Sequence, residues 1–279
     1  MADALRAVVA SATRAASAAG AASAGSAAEG VEAAGAGPVK SALRTVELLE
    51  YFAGHRGLHS LAGLQHDLGY PKSSLYMLLR TLTDLGWVET DSTGTLYGIG
   101  LRALLVGTSY IDGDHIVRAA RETLDWLAEI TTETVHLARL DGTDVVYLTT
   151  RESQHYLRPM SRVGRRMPAY CTSLGKALLA ERTDDEVRAI LPDELAGLTR
   201  HTIVDHAILA QDLAATRERG YAVDHEENVI GVRCFGAAVR YQQPARDAIS
   251  CSVPVARLTP RSEERRVGKE CRSRWSPYH

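Results

Sequence analysis

The sequence predicts an α+β chain with an N-terminal winged helix-turn-helix, a linker helix, and a larger domain of antiparallel strands mixed with helices. Three observations carry that expectation. Residues 60–85, SLAGLQHDLGYPKSSLYMLLRTLTDL, read as two short helices meeting at a tight turn. Short apolar runs then flank the turn-forming tetrapeptide Asp91-Ser92-Thr93-Gly94. Beyond residue 134, strand-like runs are interleaved with amphipathic helical stretches.

Residues 1–38 hold 17 Ala, with many Gly and Ser and only Leu5, Val8, Val9 and Val31 as larger aliphatics. Such a leader buries too little apolar surface to offset the entropy of ordering, so disorder is expected, with some alanine helicity as the alternative. A signal peptide needs an uninterrupted apolar stretch, which Arg14 breaks, and nothing downstream has the length of a membrane span.

Residues 39–99 form the expected winged helix-turn-helix. Its first helix is placed at 41–52, with Leu43, Val46, Leu48, Leu49 and Phe52 available for the core. A brace helix follows at 61–68. Gly69 and Tyr70 make the turn, glycine being the residue that accepts a left-handed backbone after a helix end. The next helix starts at Pro71, which has no N–H to lose in a first turn. Leu75, Leu78, Leu79, Leu82 and Leu85 fall on one face at helical spacing.

Lys72, Ser73, Tyr76, Met77 and Arg80 fall on the other side. With Ser74 they supply short donors and cations that reach phosphates and base edges if this half of the helix enters a major groove. Two amphipathic helices with a glycine between them also describe a plain helical hairpin. Trp87-Val88-Glu89 and Leu96-Tyr97, read as a β-hairpin, complete the helix, helix, helix, hairpin order of a winged helix. Between Lys40 and Arg102 six basic residues face six acidic ones. Phosphate neutralisation sets most of a DNA binder's affinity, so a monomer would bind weakly and a dimer is needed.

The apolar stretch GIGLRALLVGTSYI at 98–111 reads as a linker helix, assigned to residues 100–113, and Asp112-Gly113-Asp114 breaks it from a second domain at 114–260. That domain opens with a helix at 116–130, whose Ile116, Ala119, Ala120, Thr123, Leu124, Leu127 and Ile130 share a face. Residues 135–140 and 145–148 make a hairpin around Asp141-Gly142. Helices are expected at 173–182, 184–191 and 208–219, and strands at 221–226, 234–239 and 248–253.

Residues 261–279, RSEERRVGKECRSRWSPYH, carry six basic and three acidic residues without apolar periodicity. The segment looks like the in-frame translation of a sequencing-library adapter, and it is set aside from fold and function. Setting aside that excess of three positive charges moves the formal charge from −2 to −5. The scattered Cys171, Cys234 and Cys251, and the lack of a recognisable targeting segment, suggest a reducing, cytoplasmic setting.

From about Val39 to Pro260 the chain resembles the IclR family of bacterial transcriptional regulators. The motifs, in order, are PKSSLYMLLRTL at 71–82, VGRRMPAYCTSLGKALLA at 163–180, GYAVDHEENVIGVRCFGAAV at 220–239 and AISCSVPVARLTP at 248–260. The resemblance implies a winged helix, a linker helix, and a GAF-like effector domain that binds a small metabolite. It also implies dimers formed through the N-terminal domains, often paired into tetramers. The expected function is a ligand-responsive repressor that acts on an operator of double-stranded DNA. No cofactor, metal or membrane is implied.

Residues matching the family's ligand pocket are Met160, Met167, Tyr170, Cys171, Thr172, Ser173, Asp224, Cys234, Ser250 and Ser252. A small carboxylate or aromatic metabolite suits them. Ser173 stands where a helix should start, unpaired N–H groups there attract anions, and the methionines supply an adaptable apolar wall. Three departures from the family pattern stand out. Met77 replaces a frequent arginine, which removes one cationic contact; Ala238 replaces a common proline, which is expected to be tolerated; and the family's C-terminal helix is missing after Pro260, so the chain as written should melt below its intact parent.

Two rival readings stay open at this point. A cysteine-dependent enzyme could be built on Cys171 or Cys234 with a histidine base, although no complete catalytic signature accompanies them. Ser173 to Ala177 resembles the end of a phosphate loop but has Tyr170 at the first Gly position and Ala177 after the Lys. A metal-binding GAF-like protein could use Cys171, Asp224, His225 and Cys234, which lack paired ligand spacing. His55, His59 and His66 read as surface or capping residues, and Arg165 and Arg166 as a solvated loop face.

Overall fold

The structure, a computed structural model, describes residues 10–17, 39–159 and 161–258. Helix α1 (residues 10–17) belongs to the unit that begins at Asp114, and the described residues from 39 to 113 belong to the other unit. The expected tail at 261–279 lies outside the described residues, as does most of the leader.

In the smaller unit the order is α2 (Lys40–Gly54), β1 (His59–Ser60), α3 (Leu61–Leu68), α4 (Lys72–Asp84), β2 (Val88–Thr90), β3 (Leu96–Ile99) and α5 (Leu101–Gly113). Ser60 caps α3 by accepting from the Gly63 N–H at 3.1 Å. The helix ends at Gly69, whose φ of 68° is left-handed, as the turn required. Pro71 stands one residue earlier than expected, at the N-cap of α4. The wing is held by Asp91, whose Oδ1 accepts from the N–H groups of Thr95 and Leu96, both at 2.9 Å. Strand β1, which the sequence did not reveal, pairs with β3 to give the antiparallel order β1-β3-β2.

Leu48, Phe52, Leu64, Leu75, Leu79, Leu82, Val88 and Tyr97 form this unit's core. Each fully buried leucine contributes about 2 kcal/mol by leaving water. Five expected core residues are not in it, two of which, Leu49 and Leu78, are half-buried. Leu43 and Val46 lie on the outer face of α2, 45% and 53% exposed, and Leu85 is 56% exposed where α4 ends. The linker helix, assigned to 100–113, runs from Leu101 to Gly113, and Gly98 and Ile99 of the apolar stretch before it belong to β3.

The larger unit continues with α6 (His115–Thr131), β4 (Thr134–Asp141), β5 (Asp144–Arg151), β6 (Arg166–Pro168), α7 (Ser173–Leu179), α8 (Asp184–Ile190), α9 (His206–Arg219), β7 (Ala222–His225), β8 (Val232–Val239) and β9 (Asp247–Pro254). The strands make one antiparallel sheet in the order β6-β5-β4-β9-β8-β7. The expected helices and strands are all present, with bounds shifted by one to three residues. Ile130, expected on the buried face of α6, is 39% exposed near the helix end.

Strand alternation gives the sheet two faces. His136, Ala138, Ala248, Ser250, Ser252 and Cys234 share the face against which α7 packs. Gly236 makes that packing possible, since a Cβ there would run into the backbone of Ser173. Residues 10–17 depart from the disorder expected of the leader. Ala12 and Ala16, one turn apart, are each 1% exposed, and the Arg240 N–H donates to Thr13 Oγ1 at 3.0 Å. Small side chains on one stripe let this short helix lie close to its neighbours.

Candidate functional site

The solvent side of α4 carries Lys72, Ser73, Tyr76, Met77 and Arg80, all exposed, with Tyr76 and Met77 at 46% and 57%. Its opposite side is anchored in the core through Leu75, Leu79 and Leu82. Ser74 is different. Its hydroxyl accepts from Arg44 Nη1 at 3.0 Å, which ties α4 to α2. Arg44 also lies over the Tyr70 ring, 5.1 Å from its centroid, and the Tyr70 hydroxyl hydrogen-bonds Glu47. Arg44, Glu47 and Tyr70 therefore fix the tilt of α4, a role that helical periodicity could not reveal.

In the larger unit a cavity of about 150 Å³ opens on the α7 face of the sheet. It is lined by His136, Tyr147, Arg165, Asp224, Cys234 and Ser252, together with Pro159, Ser161, Asn228, Val229 and Val232. Three of the ten expected pocket residues line it: Asp224, Cys234 and Ser252. Met160 lies outside the described residues.

The other six are buried side chains away from the cavity lining. Tyr170 donates to the Ala196 carbonyl at 2.6 Å, Thr172 caps α7 by accepting from the Gly175 N–H at 3.0 Å, and Cys171 hydrogen-bonds the Pro168 carbonyl at 3.6 Å. Met167, Ser173 and Ser250 are each less than a tenth exposed. The anion site expected at the start of α7 is thus closed, because the cap and the sheet occupy it. Arg165, expected on a solvated loop face, instead lines the cavity and donates to Met167 Sδ at 3.1 Å.

Burial sets the charge state of the lining. It raises Asp224 to about 7, reinforced by nearby Glu227, while the Glu227 N–H donates to Asp224 Oδ1 at 2.7 Å and pulls the other way. Burial, with help from the Arg165 charge, lowers His136 to about 3, so its ring is neutral and shares a hydrogen bond of 3.0 Å with Thr150. Burial also holds the thiol of Cys234 protonated, 3.1 Å from Ser252 Oγ. Among the described lining residues Arg165 carries the positive charge.

The β7–β8 loop rims the cavity and is firmly held. Glu226 adopts φ 64°, a conformation that costs a non-glycine residue about 1 kcal/mol or more. Thr199 and Thr202 donate to the carbonyls of Glu226 and Glu227 at 2.8 and 2.6 Å. Lys176, wholly buried on α7, reaches Glu227 at 2.6 Å and Asp212 at 2.7 Å. Its place in a GKA run gave no signal of this pairing.

Both sites fall within recognised family patterns. Residues 41–92 match the IclR helix-turn-helix domain, and residues 108–273 match the family described as bacterial transcriptional regulator IclR C-terminal. The chain belongs to the IclR family. It is 32% identical over 228 residues to the transcriptional repressor IclR of Escherichia coli K12, covering 80% of this chain and 83% of that protein. It is 34% identical over 202 residues to the regulator KdgR of the same organism, covering 72% and 76%. The crystal structure of IclR from Thermotoga maritima superposes with a TM-score of 0.60 at 27% identity, over 82% of this chain and 91% of that one.

This IclR-family chain is therefore a DNA-binding, effector-responsive transcriptional regulator and not an enzyme. The side chains agree with that membership. Burial pushes the Cys171 thiol up to about 12 and Cys234 well above its ordinary value, which removes the thiolate that a cysteine nucleophile needs. His225 is exposed and alternates away from Asp224 on β7. Among the described residues no group of three or more His, Cys, Asp or Glu is placed to hold a metal ion, and no helix is long and apolar enough to cross a membrane.

Proposed function

We propose that this IclR-family regulator is a cytoplasmic, dimeric repressor that binds a small carboxylate in the cavity of its larger unit and changes its grip on operator DNA in response. The observation that carries the ligand class is Arg165 in a cavity whose other described lining residues are apolar or neutral apart from Asp224, whose carboxyl burial raises to about 7. A carboxylate can pair with the guanidinium while Ser252, and Asp224 in its protonated form, orient it. At about 150 Å³ the cavity suits a compact acid.

On DNA, Lys72 and Arg80 are assigned to phosphates, and Ser73, Tyr76 and Met77 to the groove, with Ser74 as the residue that orients the helix through Arg44. A dimer is supported by the exposed apolar face of α5, where Leu101, Leu104 and Leu105 are 67%, 60% and 60% exposed, and by Leu43 and Val46 on α2. Isothermal titration of the full chain with acetate, pyruvate and benzoate tests the ligand class. Binding of at least one acid that Arg165→Met abolishes supports it; equal binding by parent and variant contradicts it.

A further inference from the structure

Asp114 does two jobs at the start of the larger unit. Its Oδ1 caps α6 by accepting from the N–H groups of Ile116 and Val117 at 2.8 and 3.0 Å. Its Oδ2 takes an ion pair from Arg139 Nη1 at 2.6 Å. Arg139 sits on β4, and its Nε and Nη2 grip the two oxygens of Asp247 on β9, at 2.8 and 3.2 Å. Asp247 is wholly buried and also accepts from the Tyr241 hydroxyl at 2.5 Å. One guanidinium thus ties two central strands to the N-cap of the larger unit's opening helix.

The same two strands carry the cavity. His136 lies three residues before Arg139 on β4, and Ser252 lies five residues after Asp247 on β9. At the strand rise that separates the His136 and Arg139 backbones by about 10 Å. Alternation puts His136 and Arg139 on opposite faces of the sheet. Between them, the β4–β5 register shifts at Leu137 and Ala138, a place where the strand can change twist without losing its ladder to β9. Asp114 in turn follows Gly113, the last residue of α5, directly in the chain.

Resting on the ligand-gated reading above, we infer that the Asp114–Arg139–Asp247 clamp is the positioning element through which occupancy of the cavity is felt at Asp114, the residue that follows the linker helix in the chain. A ligand that bridges His136 and Ser252 changes the twist of β4 at Leu137 and Ala138, and the clamp transmits that change to the first residue after the linker helix. A buried charged triad is not needed for stability alone, since well-packed apolar side chains do that as well. Its directional hydrogen bonds fix the start of α6 against β4 and β9.

The test uses the full chain, pyruvate as the probe acid, and a duplex selected by the protein from a random pool. Asp114→Asn keeps an excellent cap and loses the charge that pairs with Arg139. Arg139→Gln removes both ion pairs. The parent is expected to change its duplex affinity at least fivefold on saturation with pyruvate. Both variants should bind pyruvate within about twofold of the parent and bind the free duplex comparably, yet show a pyruvate response below about twofold. A full response in Asp114→Asn, or loss of pyruvate binding in both variants, overturns the clamp. A parent that binds pyruvate without any change in duplex affinity overturns the ligand-gated reading instead.

Discussion

Lys176 Nζ lies 2.6 Å from Glu227 Oε1, with both side chains essentially shielded from water. This pair joins α7 to the loop that rims the cavity, and it makes the loop's position depend on a charge balance inside the core. Removing one partner strands the other. Lys176→Met is expected to cost about 3–5 kcal/mol in urea unfolding, because Glu227 is left charged and buried. The double change Lys176→Met with Glu227→Gln should recover part of that loss. A single variant within about 1 kcal/mol of the parent would show that the pair is not the anchor described.

The DNA-contact role proposed for α4 yields a salt-dependence prediction. Lys72→Ala combined with Arg80→Ala should weaken duplex binding and lower the slope of log affinity against log salt by about 1 for each phosphate no longer neutralised. Pyruvate binding should be unchanged. Met77→Arg, which restores the cation frequent in the family, should steepen the same slope by about 1.

Ser74 gives a sharper test of orientation. Ser74→Ala removes no charge, so the salt slope should hold, while affinity falls because α4 is no longer tied to Arg44. A flattened slope would return Ser74 to the DNA-facing surface.

The cavity predicts opposite pH dependences for two of its residues. Asp224 is raised to about 7 by burial, so from about pH 4 to 7 the folded chain keeps a proton that the unfolded chain has released. Its contribution is fully present below that window and is lost as pH rises through it. His136 is lowered to about 3 by burial, so its contribution is present above its ordinary range and is lost as pH falls towards 3. Chemical unfolding of the parent and Asp224→Asn at pH 5 and pH 7.5 checks the first. The parent should lose stability relative to the variant at the higher pH, and an unchanged difference would rule out the raised carboxyl.

The exposed face of α5 makes a prediction about assembly. Leu105→Asp, at a position 60% exposed, should shift sedimentation towards monomer and weaken duplex binding, because one domain of balanced charge cannot hold DNA well alone. Unchanged sedimentation would place the dimer interface elsewhere.

Helical spacing and turn chemistry revealed most of the fold. Leu75, Leu79 and Leu82 repeat at core spacing, Gly69 marks the turn, and Asp141-Gly142 marks the first hairpin of the larger unit. Short strands escaped, since the two residues of β1 and the three of β6 carry no period. The site was less legible. Asp224, Cys234 and Ser252 came from motif resemblance, but His136, Tyr147 and Arg165 meet in space from strands and a loop whose register no local pattern sets. Arg44 with Ser74, and Lys176 with Glu227, are pairings across 30 and 51 residues, formed only once the helices pack. Leu43 and Val46 misled because an apolar residue on an amphipathic helix can face a partner chain as well as its own core.

If an acid in the cavity alters the hold on DNA, fluorescence anisotropy of the full chain on its selected duplex, with and without saturating pyruvate, will register it. An affinity change of at least fivefold is expected in the parent and none in Arg165→Met. The same change in both, or no change in a parent that calorimetry shows to be loaded with pyruvate, would refute ligand gating through Arg165.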